Sequence, residues 1–405
     1  MTPRQKDAAV AVMVVALAVG AAAAWMSLTS LLQSSDFLVY YLSGADLARG
    51  LGYLYNGMAT AIRTPGYSVL LAMAFRVGGI SVATMLVVNL LLQAVTAALA
   101  YILGLKLTQR RWVAALIGVV VAVIPDRLYL VAKATPENLA APLLLGIALC
   151  WVVWRDEPAH QFRYSIWIGL LLGALTLTRP ITQALVVLFA LLMLVDVRDK
   201  RRAVALAATT VMVCLLVLAP WLIRNQIVLG SPVLTTSGGG NLLMTYNPGA
   251  TGMFNPQAMV PVLPVNNPRD ELVVDGVYRA RAVKFVLTHP AEVPRIVILD
   301  AKWLLYLAAP SGSSLVGRTL VLLSNLLRLA LSLLVIVYLF VKRDPSRGVV
   351  FDIALLCALL LVLTPFAAPG STRYLVPQLP CMVLVGGIFV SDLSSRRRVL
   401  ANTDG

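Results

Sequence analysis

Histidine is nearly missing from this chain, and with it go several of the usual tools of catalysis. Among 405 residues there are 2 histidines, His160 and His289. Neither sits in a helical HExxH pattern or supports a His-based nucleophile relay, so zinc-protease and triad-type hydrolase chemistry are set aside. The 4 cysteines, Cys150, Cys214, Cys357 and Cys381, all fall in apolar runs without metal-ligand spacing. They read as small buried hydrophobes, neither ligands nor disulfides. There is no P-loop and no GxGxxG following a strand, which argues against cytosolic nucleotide chemistry. Charge is scarce too: charged residues make up 13% of the chain, where a globular domain carries about 25%.

What is present is hydrophobic length. The apolar fraction is 60% and the mean hydropathy +0.86. Runs of about 20 apolar residues, the length that spans a bilayer as helix, recur along the chain. The fold class expected is an all-α polytopic membrane protein of about ten transmembrane helices with interfacial helices and loops. The expected spans cover 8–32, 83–105, 111–125, 136–154, 164–178, 180–196, 203–222, 319–341, 348–366 and 373–391. The run 65–79 opens with Pro65-Gly66 and is expected to lie in the interface. Arg4 and Lys6 precede the first run, and Ala21–Ala24 would suit a signal peptidase. The run continues to Leu32, however, so an uncleaved anchor is expected.

Short cytoplasmic loops collect Lys and Arg. Placing the N-terminus inside puts these cations on the inner side: Arg4 and Lys6; Lys106, Arg110 and Arg111; Arg155 and Arg163; Arg198 and Lys200 to Arg202; Lys342, Arg343 and Arg347; Arg396 to Arg398. The short outer turns hold only Arg127, Lys133, Arg179 and Arg373. Both termini are therefore expected in the cytoplasm of a plasma (inner) membrane protein, with 33–82, 126–135 and 223–318 on the outer face. The net charge of +15 follows from this sidedness and from anionic membrane lipids, without nucleic acid.

The chain is expected to divide into a membrane module (1–222), an outer loop region (223–318) and C-terminal helices with a basic tail (319–405). Ser237–Asn241, Tyr246–Gly252 and Asn266–Pro268 carry strong turn signals. Val273–Leu287 reads as a surface helix with Arg279, Arg281 and Lys284 on its polar side. Ile296–Ala309 reads as interfacial, with a half-buried helix as the alternative.

Candidate chemistry rests on carboxylates and arginines. Asp36 follows the first span almost at once, Asp126 ends the third and Glu137 opens the fourth. Bundling would bring these to one depth. A carboxylate there can take a proton from a hydroxyl, and a second can help hold a divalent cation, Mg or Mn. Each also has a plain structural use: Asp36 as a helix cap, Asp126 as partner of Arg127 or Lys133, Glu137 in the favourable first turn of a helix. Arg63, Lys133, Arg179, Arg224 and Arg373 lie at outward helix ends or loops, where guanidinium groups suit phosphate and snorkelling is the alternative. Arg328, inside the eighth span, has no account from sequence.

In order along the chain stand Asp36-Phe37, Tyr40-Tyr41, Arg63-Thr64-Pro65-Gly66-Tyr67, Thr135-Pro136-Glu137, Thr178-Arg179-Pro180, Trp221 to Asn225, Gly240-Asn241 and Arg373-Tyr374 with Pro377. This series resembles the GT-C superfamily of integral-membrane glycosyltransferases, in its polyprenyl-phosphate-sugar-dependent branch. It is similar to protein O-mannosyltransferases and lipid A aminoarabinose transferases. The resemblance covers nearly the whole chain. It implies an inverting transferase in which Asp36 is the catalytic base. Glu137 would be a second acid, and with Asp126 a candidate near a metal or the acceptor. Arg63, Lys133, Arg179, Arg224 and Arg373 would bind the donor phosphate. Tyr67, Asn225, Asn241 and Tyr374 are substrate-side candidates within the same motifs. The implied partners are a polyprenyl-phosphate-linked sugar and a glycan, lipid or protein acceptor. Phe37 replaces the Glu of the mannosyltransferases' Asp-Glu pair, and Arg63-Thr64-Pro65 their His-Pro-Pro, so protein O-mannosylation is not implied and metal dependence stays open. The alternative is a lipid-linked-sugar transporter or flippase. The scarcity of polar residues at mid-membrane depth, Arg328 apart, argues against it.

Overall fold

The computed structural model describes residues 2–29, 31, 33, 36–260, 264–308, 314–342 and 348–403. Of the expected inner cations, Arg343 and Arg347 lie outside the described residues, and so do the side chains of Arg396, Arg397 and Arg398.

Helix dominates. The first long helix, α1 (Pro3–Leu28), starts on a capping box in which Thr2 and Gln5 satisfy each other's backbone N–H. The polar segment after it folds as α2 (Asp36–Ala48), a two-residue hairpin of β1 (Leu54–Tyr55) and β2 (Met58–Ala59), and α3 (Gly66–Gly78). Then follow α4 (Val82–Thr108), α5 (Arg111–Val123), α6 (Pro125–Val131), α7 (Glu137–Asp156), α8 (Gln161–Thr176), α9 (Gln183–Asp196) and α10 (Lys200–Leu229). The loop region contributes α11 (Gly238–Thr245), α12 (Asp270–Thr288) and α13 (Glu292–Leu305). The chain closes with α14 (Leu315–Val341), α15 (Val349–Ala367), a 3-10 turn (Thr372–Gln378) and α16 (Leu379–Thr403).

Among the described residues, 7 helices are long and apolar enough to cross a membrane, and up to 8 if α5 and α6, bent by 51° at Ile124, form one span. Of the ten expected spans, this count by helix length and composition omits 164–178 and 180–196. The expected spans 164–178 and 180–196 become α8, of 16 residues, and a helix running Pro180–Asp196; though short, they run between the same two ends of the bundle as α7, since Arg179 just after α8 pairs with Glu137 and Asp196 pairs with Arg155. The run 65–79 is α3, of 13 residues, too short to cross. Apolar side chains such as Val12, Met13, Leu215, Leu216, Leu322 and Leu326 stay exposed on the long helices. That is the expected surface of a multi-pass membrane protein, whose solvent on that face is lipid.

The helices pack closely where small residues allow it. On α8, a Cβ at Gly173 would stand 2.6 Å from the Cβ of Val217, and one at Gly169 2.6 Å from the carbonyl of Thr210, so α8 and α10 meet nearly backbone to backbone. One core runs through α5, α7, α8, α9, α15 and α16, with Trp151 stacked on Trp154 at its centre. At the ends of α7 and α9 and the start of α15, Arg155 bridges Asp196 (3.5 Å) and Asp352 (2.5 Å). Candidate site residues collect at the opposite end: after α1, at the start of α7, after α8 and after α15.

Candidate active site

Two carboxylates and three guanidinium groups interlock at that end. Asp36 opens α2, its side chain 34% exposed. Its Oδ1 accepts from Arg63 Nη2 at 2.6 Å and its Oδ2 from Arg373 Nη1 at 3.4 Å. Glu137, in the first turn of α7, is fully buried. Its Oε1 accepts from Arg179 Nη1 at 2.6 Å and from Arg373 Nε at 2.8 Å, and its Oε2 from the Thr135 hydroxyl. Arg373 therefore ties both acids together. Aromatic faces orient the cations: Arg179 lies 4.8 Å from the ring centre of Tyr374, and Arg373 5.3 Å from that of Phe37.

A cavity of about 560 Å³ opens onto this cluster. Asp36, Tyr40, Arg63, Arg179, Arg373 and Tyr374 line one side, and Ser237, Gly238 and Asn241 from the start of α11 the other. Leu363, Phe366 and Ala367 of α15 give it an apolar wall. Glu137 stands behind the wall and holds Arg179 and Arg373 in place. Burial alone would push the Asp36 carboxyl up. The adjacent charges of Arg63 and Arg373, and the hydrogen bonds they donate, outweigh that and hold it below its ordinary value.

The structure brings Asp36, Arg63, Arg179, Arg373, Asn241 and Tyr374 together on this cavity. It places the other candidates elsewhere. Arg224 donates to the carbonyls of Thr60 (2.8 Å) and Tyr53 (3.0 Å) and to Asn225 Oδ1 (2.7 Å), fastening the β1–β2 segment to α10. Asn225 is buried and donates to the Val233 carbonyl. The Tyr67 hydroxyl donates to Asn89 at 2.7 Å inside the packing of α3 on α4. Lys133 is largely buried away from the cavity, and burial pushes its ammonium pKa down. Asp126 pairs with Arg328, not with Arg127 or Lys133, because Arg328 is fully buried and reaches across from α14. Arg127 donates instead to Gln93. Among residues the sequence did not single out, Thr235, Ser237 and Gln183 line the cavity. Ser237 lay within a stretch that reads as a turn.

These acids do not present a donor set for a divalent cation. All four oxygens of Asp36 and Glu137 already accept hydrogen bonds, three arginines surround them, and Asp126 stands apart on its own arginine. The chemistry below therefore runs through the protein's own groups.

The fold is similar to that of several solved structures. ArnT from Cupriavidus metallidurans, solved with undecaprenyl phosphate, superposes with a TM-score of 0.57 at 15% identity, covering 93% of this chain and 59% of its own. The oligosaccharyltransferase of Archaeoglobus fulgidus, solved with a tethered acceptor peptide, superposes at 0.54 and 12% identity, covering 96% of this chain and 50% of its own. The oligosaccharyltransferase AglB from Archaeoglobus fulgidus, in complex with an inhibitory peptide and a dolichol-phosphate, superposes at 0.53 and 12% identity, covering 97% of this chain and 52% of its own. The chain thus spans between half and three-fifths of the length of these structures. No protein-family model and no curated protein matches it.

Proposed function

We propose that this protein is an inverting glycosyltransferase that moves a sugar from a polyprenyl-phosphate donor to an acceptor hydroxyl on the outer face of the membrane. The observation that carries the reading is the charge balance at the cavity. Three guanidinium groups face two carboxylates, which leaves one surplus positive charge beside a carboxylate open to solvent. A lipid-linked sugar phosphate is a diester with one negative charge, and guanidinium groups bind phosphate oxygens bidentately. The likeness to structures solved with undecaprenyl phosphate and dolichol-phosphate supports such a donor.

In this reading Asp36 accepts the proton of the acceptor hydroxyl as its oxygen attacks the anomeric carbon from the face opposite the phosphate. The bond between that carbon and the phosphate oxygen breaks, and its electron pair leaves with the phosphate, which gains a second negative charge. Arg63, Arg179 and Arg373 line the same cavity and would stabilise that charge as it develops, and preorganised charge of this kind supplies much of a transferase's rate. Glu137 keeps two of them pointed. Both termini lie in the cytoplasm, the orientation that best fits the Lys and Arg distribution, and the 223–318 region forms the acceptor side.

The test is single-turnover transfer from a panel of radiolabelled polyprenyl-phosphate sugars in liposomes, with a membrane extract as acceptor. Wild type is expected to move label to product. Asp36→Asn is expected to fold and bind donor but lose transfer by at least about 100-fold, the scale of general-base catalysis. A fully active Asp36→Asn enzyme would sink the mechanism. Donor binding equal in both proteins, with no transfer by either, would favour a carrier.

A further inference from the structure

A second cavity, about 530 Å³ and so almost as large as the first, lies on the other side of α11. That one helix gives Gly238, Asn241 and Leu242 to the catalytic cavity and Leu243 to the second, which Tyr246, the residue just after the helix, also lines. The two are further joined where the Tyr246 hydroxyl donates to the carbonyl of Phe366, a residue of the catalytic wall, at 3.3 Å.

The second cavity has an apolar and aromatic floor of Leu243, Tyr246 and Phe285, with Gln257, Arg281 and Lys284 converging on it. A mostly apolar concavity with a few placed polar groups is the usual form of a ligand site. Arg281 and Lys284 stand three residues apart on α12 and so share one of its faces. Their neighbours are neutralised: Arg279 pairs with Asp275 at 2.7 Å and Arg295 with Glu292 at 2.8 Å. Arg281 and Lys284 have no carboxylate partner among the described residues. Two adjacent positive charges over an aromatic floor therefore await an anion, and a guanidinium beside an ammonium matches a phosphate or carboxylate.

We propose that this second cavity binds an anionic group, a phosphate or carboxylate, carried on the glycan that accepts the sugar. The inference rests on the transferase reading of the first cavity. It makes the acceptor anionic, and it sets a length. A helix with its side chains is about 10 Å across, so the acceptor must bridge that distance between its charged group and the hydroxyl that meets Asp36, which requires more than one sugar unit.

The first experiment measures binding of lactose 1-phosphate, with lactose as the uncharged comparison, to the full-length protein in phosphatidylcholine nanodiscs. Lactose 1-phosphate is expected to bind more tightly than lactose, and Arg281→Gln/Lys284→Gln to weaken it by about tenfold or more. The exposed control Arg295→Gln should leave the affinity unchanged. Loss with Arg373→Gln, but not with the double substitution, would assign the anion to the first cavity and overturn the proposal. The second experiment uses the transfer assay: the double variant should raise the acceptor KM about tenfold while donor KM and saturating kcat hold. If the pair acted only on lipid headgroups, the double substitution would weaken association with phosphatidylglycerol vesicles and leave lactose 1-phosphate binding intact, which also overturns the proposal. Should no transfer be found with wild type, the binding arm still tests the cavity, so failure of the transferase reading is told apart from failure of this one.

Discussion

At the scale of single residues the proposed chemistry turns on an exchange of partners. Arg63 and Arg373 hold Asp36 as an ion, and an anion so held is a weak base. A donor phosphate offers the same guanidinium groups a second anion. Its arrival would loosen Asp36 and raise its affinity for a proton at the moment one must be taken. The sign of the pH dependence follows. A carboxyl whose pKa is depressed stays ionised, and whatever depends on that ion persists, until the pH falls through the depressed value. The acid limb of kcat/KM reports the free enzyme and is expected below about pH 4, the ordinary aspartate value. Arg63→Gln removes one of the two neighbouring positive charges. It should move that limb upward and lower kcat/KM. A limb unmoved by the substitution would mean that Asp36 is not the group titrating.

At the scale of elements, α11 is the piece on which both cavities depend. It is an improbable helix by composition, since three successive glycines each cost about 1 kcal/mol relative to alanine in a helix interior. From sequence Ser237–Asn241 carries a strong turn signal. The structure shows what outweighs propensity. Gly239 lies against α12, where an added Cβ would collide with the carbonyl of Asp275 and stand 2.9 Å from the backbone nitrogen of Arg279. The Gly239 N–H is in turn capped by the Asp275 carboxylate. Gly240 meets only ordinary contacts, 3.6 Å from the Met259 sulfur. Gly239→Ala should therefore push α11 off α12, cost about 1–3 kcal/mol by over-packing and lower transfer, as thermal unfolding in detergent and the transfer assay would show. Gly240→Ala should be neutral or stabilising by up to about 1 kcal/mol. Equal effects at the two positions would refute the packing account. The contrast shows how far sequence reaches. Asp36, Glu137, Arg179 and Arg373 were legible because each sits at the end of an apolar run, so span topology alone sets them at one depth. The role of Gly239 depends on a carbonyl 36 residues away in sequence, and no local pattern carries it.

At the scale of the whole molecule, ion pairs fasten the last ninety or so residues to the first two hundred. Arg373 ties the turn after α15 to Asp36 and Glu137, Asp352 at the start of α15 takes Arg155 from the end of α7, and Arg328 of α14 takes Asp126 of α6. The first tie forms the proposed active site, so that cluster exists only if the C-terminal helices dock correctly. The Asp126–Arg328 pair bears on that docking without lining the cavity. Arg328 is fully buried, and besides Asp126 it donates to the Leu305 carbonyl at 3.1 Å and to Asn325. Sequence alone left it an oddity because its partner lies 202 residues earlier. Removing one member of such a pair strands a charge in a medium that cannot solvate it, which costs about 3–5 kcal/mol, whereas replacing both by apolar groups of similar volume is often neutral. Asp126→Leu should accordingly lower thermal stability in detergent markedly and reduce transfer through loss of folded protein. Asp126→Leu/Arg328→Met should recover most of the stability and, because neither residue touches the cavity, most of the activity. Recovery of stability without activity would show that the pair positions the site as well as fastening the bundle. Failure of the double variant to recover either would show that the hydrogen bonds from Arg328 to Leu305 and Asn325, and not its charge, hold α14 in place.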